Sequence, residues 1–230
     1  MLSALPRADP PAGPPAGAAP AASPEIPQET VDRMQSVTRE LAFAAGSWTS
    51  ERAEEIRGFF DALAPEWHVR NQAERLRPLE DAIARGGVPA GGICVEIGSG
   101  TGFQTPTAAK TFDFVVSVDL SAEMLARSPR LDRAGLVQAD ANLLPFRPRS
   151  AHAVLCVNAF LFPAEYVRVL RDGGMVIFVS TRGDRTPIYL PPADIVRALE
   201  LASGPSTERT WSAVTSEASS GTWTVVTASR

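Results

Sequence analysis

The chain has 230 residues, 44% of them hydrophobic, which is enough to bury the core of one α/β domain and an additional segment. Its formal net charge of −4 gives no overall positive field, so we do not expect nucleic acid as the main partner. No apolar run is long enough to cross a membrane, the N-terminus lacks a secretory signal pattern, and the cysteines and histidines lack metal-ligand spacing. We therefore expect a cytoplasmic protein without a membrane partner or a metal site.

The N-terminal part of the chain divides into a tail and a helical segment. Residues 1–28 are dominated by Pro and Ala, have little to bury, and are predicted to be disordered. Residues 29–90 carry three helical patterns, at about residues 29–45, 51–63 and 78–85. The second pattern is the clearest, because its apolar residues follow the i, i+3, i+4, i+7 spacing of one helix face: Ile56, Phe59, Phe60 and Leu63. We predict that this segment is a capping helical lid over the domain formed by residues 91–230.

Strands and helices alternate from residue 91 onwards. Five strands are predicted, at residues 93–97, 114–118, 135–138, 153–157 and 175–180. Helices are predicted between and after them, at about residues 105–111, after Ser121, at 163–172 and at 192–202. This alternation predicts a doubly wound, mostly parallel α/β sheet of the Rossmann-like kind. Two β-rich runs, at residues 210–216 and 222–228, flank a Ser-Ser-Gly turn and predict an antiparallel C-terminal hairpin.

The first predicted strand leads into a glycine-rich turn, and together they read I-C-V-E-I-G-S-G-T-G over residues 93–102. Glycines at positions 98, 100 and 102 allow the backbone to turn sharply and to approach a ligand closely. Glu96 is an acid within an otherwise apolar strand, and a buried carboxylate is costly unless something pairs with it. We therefore treat Glu96 as a functional candidate.

Polar residues also follow the next three strands, where Asp119, Asp140 and Asn158 stand. Ligands of open α/β sheets bind at the carboxyl ends of the strands, so these residues are expected near the glycine turn. Asp119 lies 21 residues after Gly98, close to the roughly 20-residue spacing at which a Rossmann acid accepts from ribose hydroxyls. The acids suit a ligand that carries an amine or cationic part, a ribose diol and a base amine.

The glycine spacing separates this chain from the dinucleotide-binding proteins. It reads G-x-G-x-G, whereas the dinucleotide fingerprint is G-x-G-x-x-G, and an acid precedes the turn. A nicotinamide-dependent oxidoreductase is therefore a less favoured alternative.

These motifs together resemble those of the class I S-adenosylmethionine-dependent methyltransferases, over about residues 50–229. The similar stretches are V-E-I-G-S-G-T-G (95–102), V-S-V-D-L-S (116–121), Q-A-D-A-N-L-L-P-F (138–146), V-L-C-V-N-A-F (154–160) and L-R-D-G-G-M-V-I-F-V-S (170–180). The stretch F-F-D-A-L-A-P-E-W (59–67) resembles the lead-in helix of the small-molecule members. The resemblance implies a seven-stranded sheet with an antiparallel last strand, and S-adenosyl-L-methionine as the cofactor.

The resemblance also implies roles for individual residues. The glycine turn would line the methionine part of the cofactor, with Glu96 ordering that turn or reaching the amino group through water. Asp119 would accept from the ribose hydroxyls, Leu120 would pack on the adenine, Asp140 would accept from the adenine amine, and Asn158 would face both methionine and substrate. The implied cofactor-binding set is Glu96, Gly98, Ser99, Gly100, Gly102, Asp119, Leu120, Asp140, Ala141 and Asn158.

The acceptor is less determined than the cofactor. Asn158 is followed by Ala-Phe rather than by the Pro-Pro-aromatic run used on planar amino groups, and Cys156 is not preceded by the proline of cytosine-ring enzymes. His68 is a weak candidate base, with a structural or solvent role as the alternative. Arg70 and Arg75 are candidate contacts for the cofactor carboxylate, with solvated helix-surface roles as the alternative.

We therefore predict methyl transfer to oxygen, nitrogen or an activated carbon of a small molecule, mainly by proximity and orientation. A non-catalytic sensor or scaffold that binds the cofactor is the alternative, because a fold alone does not determine chemistry.

Overall fold

A computed structural model describes residues 27–70, 72–204 and 209–229. The predicted disordered tail, residues 1–28, lies almost entirely outside these ranges. The described strands are β1 (Ile93–Ile97), β2 (Phe114–Asp119), β3 (Ala134–Gln138), β4 (Ala151–Val157), β5 (Leu170–Ser180), β6 (Thr210–Ala218) and β7 (Gly221–Ser229). The α-helices are α1 (Gln28–Phe43), α2 (Ser50–Leu63), α3 (Arg77–Arg85), α4 (Thr105–Ala108), α5 (Ala122–Leu125), α6 (Pro163–Val169) and α7 (Pro192–Ser203). Short 3-10 helices occupy Ala64–Arg70, Ala73–Leu76 and Gly183–Arg185.

The strands form one seven-stranded sheet in the order β3-β2-β1-β4-β5-β7-β6. The pairs among β1 to β5 are parallel, whereas β7 is antiparallel to both β5 and β6. The predicted mostly parallel sheet with an antiparallel C-terminal hairpin is therefore confirmed. The chain order reverses between β1 and β4, and in open α/β sheets this reversal opens a crevice at the carboxyl ends of the strands.

Alternate side chains of the central strands enter two separate cores, one on each face of the sheet, as strand geometry requires. Val95 and Ile97 of β1 face a core built with α6 and α7, whereas Cys94 faces a core that includes residues of α3 and α4. Burial on both faces explains why these strands read as nearly continuous apolar runs. It also leaves Glu96, which is 1% exposed, as an ionisable group inside the sheet layer.

Two predicted helices end earlier than expected. The helix after the glycine turn is a single turn, Thr105–Ala108, because the chain then bends to bury Phe112. The prediction that the α6 helix continues to residue 172 is wrong, since Leu170 is fully buried as the first residue of β5 and pairs with Ala151. The following residues form an irregular stretch with Gly173 at φ +71°, and regular pairing resumes at Met175.

The N-terminal helices are tied to the sheet domain by polar contacts. The Gln35 side chain donates to the carbonyl oxygens of Asp184 and Thr186, which follow β5. The Ser121 hydroxyl, at the start of α5, donates to the Asp61 carboxylate on α2. These contacts connect α1 and α2 to loops at the carboxyl ends of the strands.

No helix within the described ranges is both long enough and apolar enough to cross a bilayer.

Candidate functional site

A cavity of about 800 Å³ lies at the carboxyl ends of β1, β2 and β4, beneath α1 and α2. This volume is near the upper end of the roughly 300–1,000 Å³ that small-molecule sites occupy. The cavity brings together nine of the ten cofactor-binding residues predicted from the sequence: Glu96, Gly98, Ser99, Gly100, Asp119, Leu120, Asp140, Ala141 and Asn158.

The glycine turn needs its glycines for two different reasons. Gly98, Gly100 and Gly102 have φ values of +63°, +56° and +70°, a region that side-chain-bearing residues rarely adopt. A Cβ on Gly98 would also lie 2.9 Å from the Cβ of Ala159, at the edge of the cavity. A Cβ on Gly102 would lie 2.9 Å from Pro129, so Gly102 packs behind the turn instead of lining the cavity.

Glu96 lies beneath the turn with one carboxylate oxygen bound and the other free. Its Oε2 accepts from the hydroxyls of Thr105 at 2.6 Å and Ser117 at 3.0 Å. Burial raises the pKa of Glu96 to about 7, although both hydrogen bonds act to lower it. A carboxyl group with this pKa exchanges its proton near neutral pH.

Three buried side-chain oxygens at the turn lack a hydrogen-bond partner within the described part of the chain: Glu96 Oε1, Ser99 Oγ and Gln104 Oε1. All three residues line the cavity. Buried polar atoms are nearly always paired in folded proteins, so three unpaired oxygens in one place indicate a missing donor. An ammonium group has three N–H donors and no acceptor, and it matches this set. Gln104 was not identified from the sequence, since a glutamine after a glycine turn has no distinguishing pattern.

Asp119 closes the turn against the start of α5. Its Oδ2 accepts from the backbone N–H of Gly100 at 2.7 Å, and its Oδ1 accepts from that of Ser121 at 2.8 Å. Burial raises the pKa of Asp119, while these two bonds oppose the rise and the nearby Asp61 carboxylate adds to it. Each carboxylate oxygen can accept about two hydrogen bonds, so Asp119 keeps capacity for a diol in the cavity.

Asp140 is held by a residue from the segment that joins α1 and α2. The indole Nε1 of Trp48 lies 3.0 and 2.8 Å from its two carboxylate oxygens, and the Asn142 backbone N–H donates to Oδ1 at 2.8 Å. The Trp48 ring packs against Phe160 and Phe162, with centroid separations of 6.1 and 5.1 Å. Sequence reasoning missed Trp48, because its partner is 92 positions away.

Asn158 is part of a donor-rich corner at the ends of β4 and β5. Its Nδ2 donates to Thr181 Oγ1 at 2.9 Å, and its Oδ1 accepts from the Thr181 backbone N–H at 2.9 Å. The Nε and Nη2 of Arg75 lie 3.3 and 3.2 Å from the same hydroxyl oxygen. Three N–H groups thus lie around the Thr181 hydroxyl, one of them carried by a cation, and charged N–H donors form the stronger hydrogen bonds with anionic oxygens. Thr181 was not identified from the sequence.

The aromatic neighbour of His68 reaches the cavity, whereas His68 does not. His68 is exposed, and its Nδ1 lies 3.2 Å from the carbonyl oxygen of Pro65. Trp67 lines the cavity, with its Nε1 3.5 Å from the position that a Cβ on Gly100 would occupy. The side chain of Arg70 lies outside the described part of the structure.

Residues 95–178 match the protein family described as "Methyltransferase domain". The chain is 31% identical over 155 residues to demethylmenaquinone methyltransferase of Tropheryma whipplei, covering 59% of this chain and 64% of that protein. It is 31% identical over 144 residues to the 23S rRNA (guanine(748)-N(1))-methyltransferase of Streptomyces fradiae, covering 61% of this chain and 49% of that protein. The chain thus spans about half to two thirds of the length of these curated relatives. A SAM-dependent methyltransferase of Thermotoga maritima has the same fold, with a TM-score of 0.56 at 16% identity, over 74% of this chain and 98% of that one.

Proposed function

We propose that this chain, whose residues 95–178 match a methyltransferase domain, is a class I S-adenosylmethionine-dependent methyltransferase that transfers a methyl group from S-adenosyl-L-methionine to a small-molecule acceptor bound in the same cavity. The main support is that the glycine turn and the acids at the strand ends line one cavity, which continues to the apolar face of α2.

The polar groups of the cavity fit the functional groups of this cofactor. The unpaired oxygens of Glu96, Ser99 and Gln104 would receive its ammonium group, and the donor-rich corner at Arg75 and Asn158 would hold its carboxylate. Asp119, which the N–H groups of Gly100 and Ser121 orient, would accept from the ribose diol. Asp140, which the indole N–H of Trp48 orients, would accept from the adenine amine. In this proposal the cofactor-binding set predicted from the sequence acts together with Gln104, Thr181 and Trp48.

The protein contributes mainly orientation and exclusion of water. When bound, S-adenosyl-L-methionine supplies an electrophilic methyl group, whose bond to sulfur breaks with the electron pair left on sulfur as the acceptor atom attacks. No histidine lines the cavity in the described part of the chain, and the Glu96 carboxyl lies beneath the glycine turn. We propose that the acceptor's proton leaves to solvent and that positioning of the two reactants supplies most of the rate.

The charges around the cavity favour a small acceptor over a nucleic acid. Arg33 and Arg182 line it together with Glu29 and Glu55, so cations and anions are mixed at its mouth. Nucleic-acid binding depends on neutralising successive phosphates with a continuous basic surface. The two curated relatives are named for acceptors of different kinds, a demethylmenaquinone and a ribosomal RNA, so relationship alone does not identify the acceptor.

Calorimetric titration with S-adenosyl-L-methionine, S-adenosylhomocysteine and NAD tests the cofactor. We expect both sulfur ligands to bind and NAD not to bind, and binding of NAD alone would contradict the proposal. Release of S-adenosylhomocysteine over a panel of acceptors then tests catalysis. Tight cofactor binding without any turnover would favour the non-catalytic sensor.

A further inference from the structure

Helix α2 carries an apolar face that the described protein covers only in part. Ile56, Phe59, Phe60 and Leu63 lie on this face, which we call the α2 stripe, and none of the 14 residues of the helix is buried. Phe59 is 58% exposed. An amphipathic helix normally buries its apolar face against the rest of the domain. A stripe with an exposed phenylalanine and three half-buried apolar residues, on a helix that is held in place, therefore indicates an external apolar partner.

All four residues of the α2 stripe line the cavity, so the stripe borders the same space as the glycine turn. Phe103, Phe160 and Ile188 also line it, so apolar side chains surround the space. The occupant is therefore small enough to enter a cavity shared with the cofactor.

Aromatic rings connect the mouth of the cavity to the glycine turn. Phe59 and Phe60 are 5.3 Å apart between ring centroids with an interplanar angle of 81°, and Phe60 and Trp67 are 5.6 Å apart with an angle of 73°. Trp67 ends the row beside Gly100. Edge-to-face rings at these distances offer faces and edges on which a further planar ring stacks favourably.

We propose that the methyl acceptor is an apolar compound with a planar ring system that packs on the α2 stripe and directs its reacting atom towards Trp67 and the glycine turn. This inference rests on the proposed function and adds the chemical class of the acceptor. Val69 is 59% exposed and lines the cavity, so it extends the apolar surface at the mouth. The acceptor atom, a hydroxyl, amine or activated carbon on the ring, gains the methyl group and loses its proton to solvent.

Direct binding of an apolar ring probe tests this inference without knowledge of the acceptor. The full chain, saturated with S-adenosylhomocysteine, is titrated with anilinonaphthalene sulfonate, and fluorescence gives Kd. Phe59→Ala should weaken binding about ten-fold, because a large apolar contact is lost. Leu143→Ala is the matched control, since Leu143 is 76% exposed and lies outside the cavity lining. It should leave Kd unchanged.

Turnover with matched acceptors completes the test. We expect S-adenosylhomocysteine release with 2-naphthol or 2-naphthylamine, reduced by Phe59→Ala and not by Leu143→Ala, and none with inositol or a short RNA. Equal probe binding by wild type and Phe59→Ala, or turnover restricted to the polyol or the RNA, would overturn the inference. Failure of S-adenosylhomocysteine itself to bind in the first titration would instead remove the proposed function.

Discussion

The indole N–H of Trp48 lies within hydrogen-bond distance of both carboxylate oxygens of Asp140, at 3.0 and 2.8 Å. This contact joins the segment between α1 and α2 to the loop that follows β3. The acid that the sequence suggests for the adenine amine is therefore oriented by the N-terminal helices. In the proposed function, cofactor binding and the position of α1 and α2 are therefore linked through this pair.

Replacing Trp48 by Phe removes the donor to Asp140 and keeps an aromatic ring against Phe160 and Phe162. We expect a loss of about 1–3 kcal/mol in the free energy of unfolding, as for a hydrogen bond to a charged group, together with weaker binding of S-adenosylhomocysteine. Urea unfolding and calorimetry measure the two effects. Trp211→Phe is the control, because Trp211 donates to the Ser203 hydroxyl away from the cavity. Equal cofactor affinity in both variants would show that the Trp48 contact is structural only.

Asp119→Asn should weaken cofactor binding by at least about ten-fold. The amide replaces one acceptor oxygen by a donor, which then faces the N–H of Gly100 or of Ser121. Asp113→Asn provides the comparison, since Asp113 also accepts from a glycine N–H, that of Gly92, at the opposite end of β1. We expect both variants to lose stability and only Asp119→Asn to lose affinity, as measured by calorimetry.

Glu96 should make stability depend on pH. Its folded-state pKa is raised from 4.5 to about 7, so the folded protein prefers the protonated carboxyl. The unfolded state releases that proton at lower pH, and stability therefore falls as pH rises from about 4.5 to 7 and is constant above that range. The total loss is about 3 kcal/mol.

The comparison of wild type with Glu96→Gln isolates this effect. The difference in unfolding free energy, measured by urea denaturation across pH 4 to 8, should grow in favour of the variant up to about pH 7 and then level off. A difference that stays constant with pH would mean that Glu96 has an ordinary pKa in the folded protein.

Arg75→Met should weaken binding of S-adenosyl-L-methionine and leave binding of decarboxylated S-adenosylmethionine nearly unchanged. The reason is that Arg75 brings a positive charge to the corner it forms with Asn158 and Thr181, and only the first ligand brings a carboxylate to it. Calorimetric Kd values for the two ligands and two proteins form a double-mutant cycle. Equal weakening for both ligands would show that Arg75 supports the cavity without binding the carboxylate.

Much of the fold and part of the site were predictable from short-range patterns. Apolar strands alternate with helices over residues 93–180, and this order is sufficient for a doubly wound parallel sheet. Because the carboxyl ends of parallel strands meet at one edge, Asp119, Asp140 and Asn158 could be expected near the glycine turn, and all three line one cavity with it. The helical spacing of the apolar residues from Ile56 to Leu63 was also visible in the sequence. The sequence does not show what packs on the apolar face that they form.

Long-range packing decided the rest. The length of α6 depended on whether Leu170 is buried in the helix or beside Ala151 in β5, and local propensity does not distinguish the two. Asp140 is bound by Trp48 and Asn158 by Thr181, which Arg75 also contacts, and no spacing rule connects these residues.

By itself the sequence determined the backbone features that need particular residues locally, above all the glycines at 98, 100 and 102, where φ is positive. Only the tertiary structure decided which side chains complete the site, because hydrogen-bond partners and cavity walls arise where distant segments meet. The apolar face of α2 illustrates both the contribution of the sequence and that of the tertiary structure. Its period follows from the order of residues, and its exposure to the cavity follows from how the helix packs against the rest of the domain.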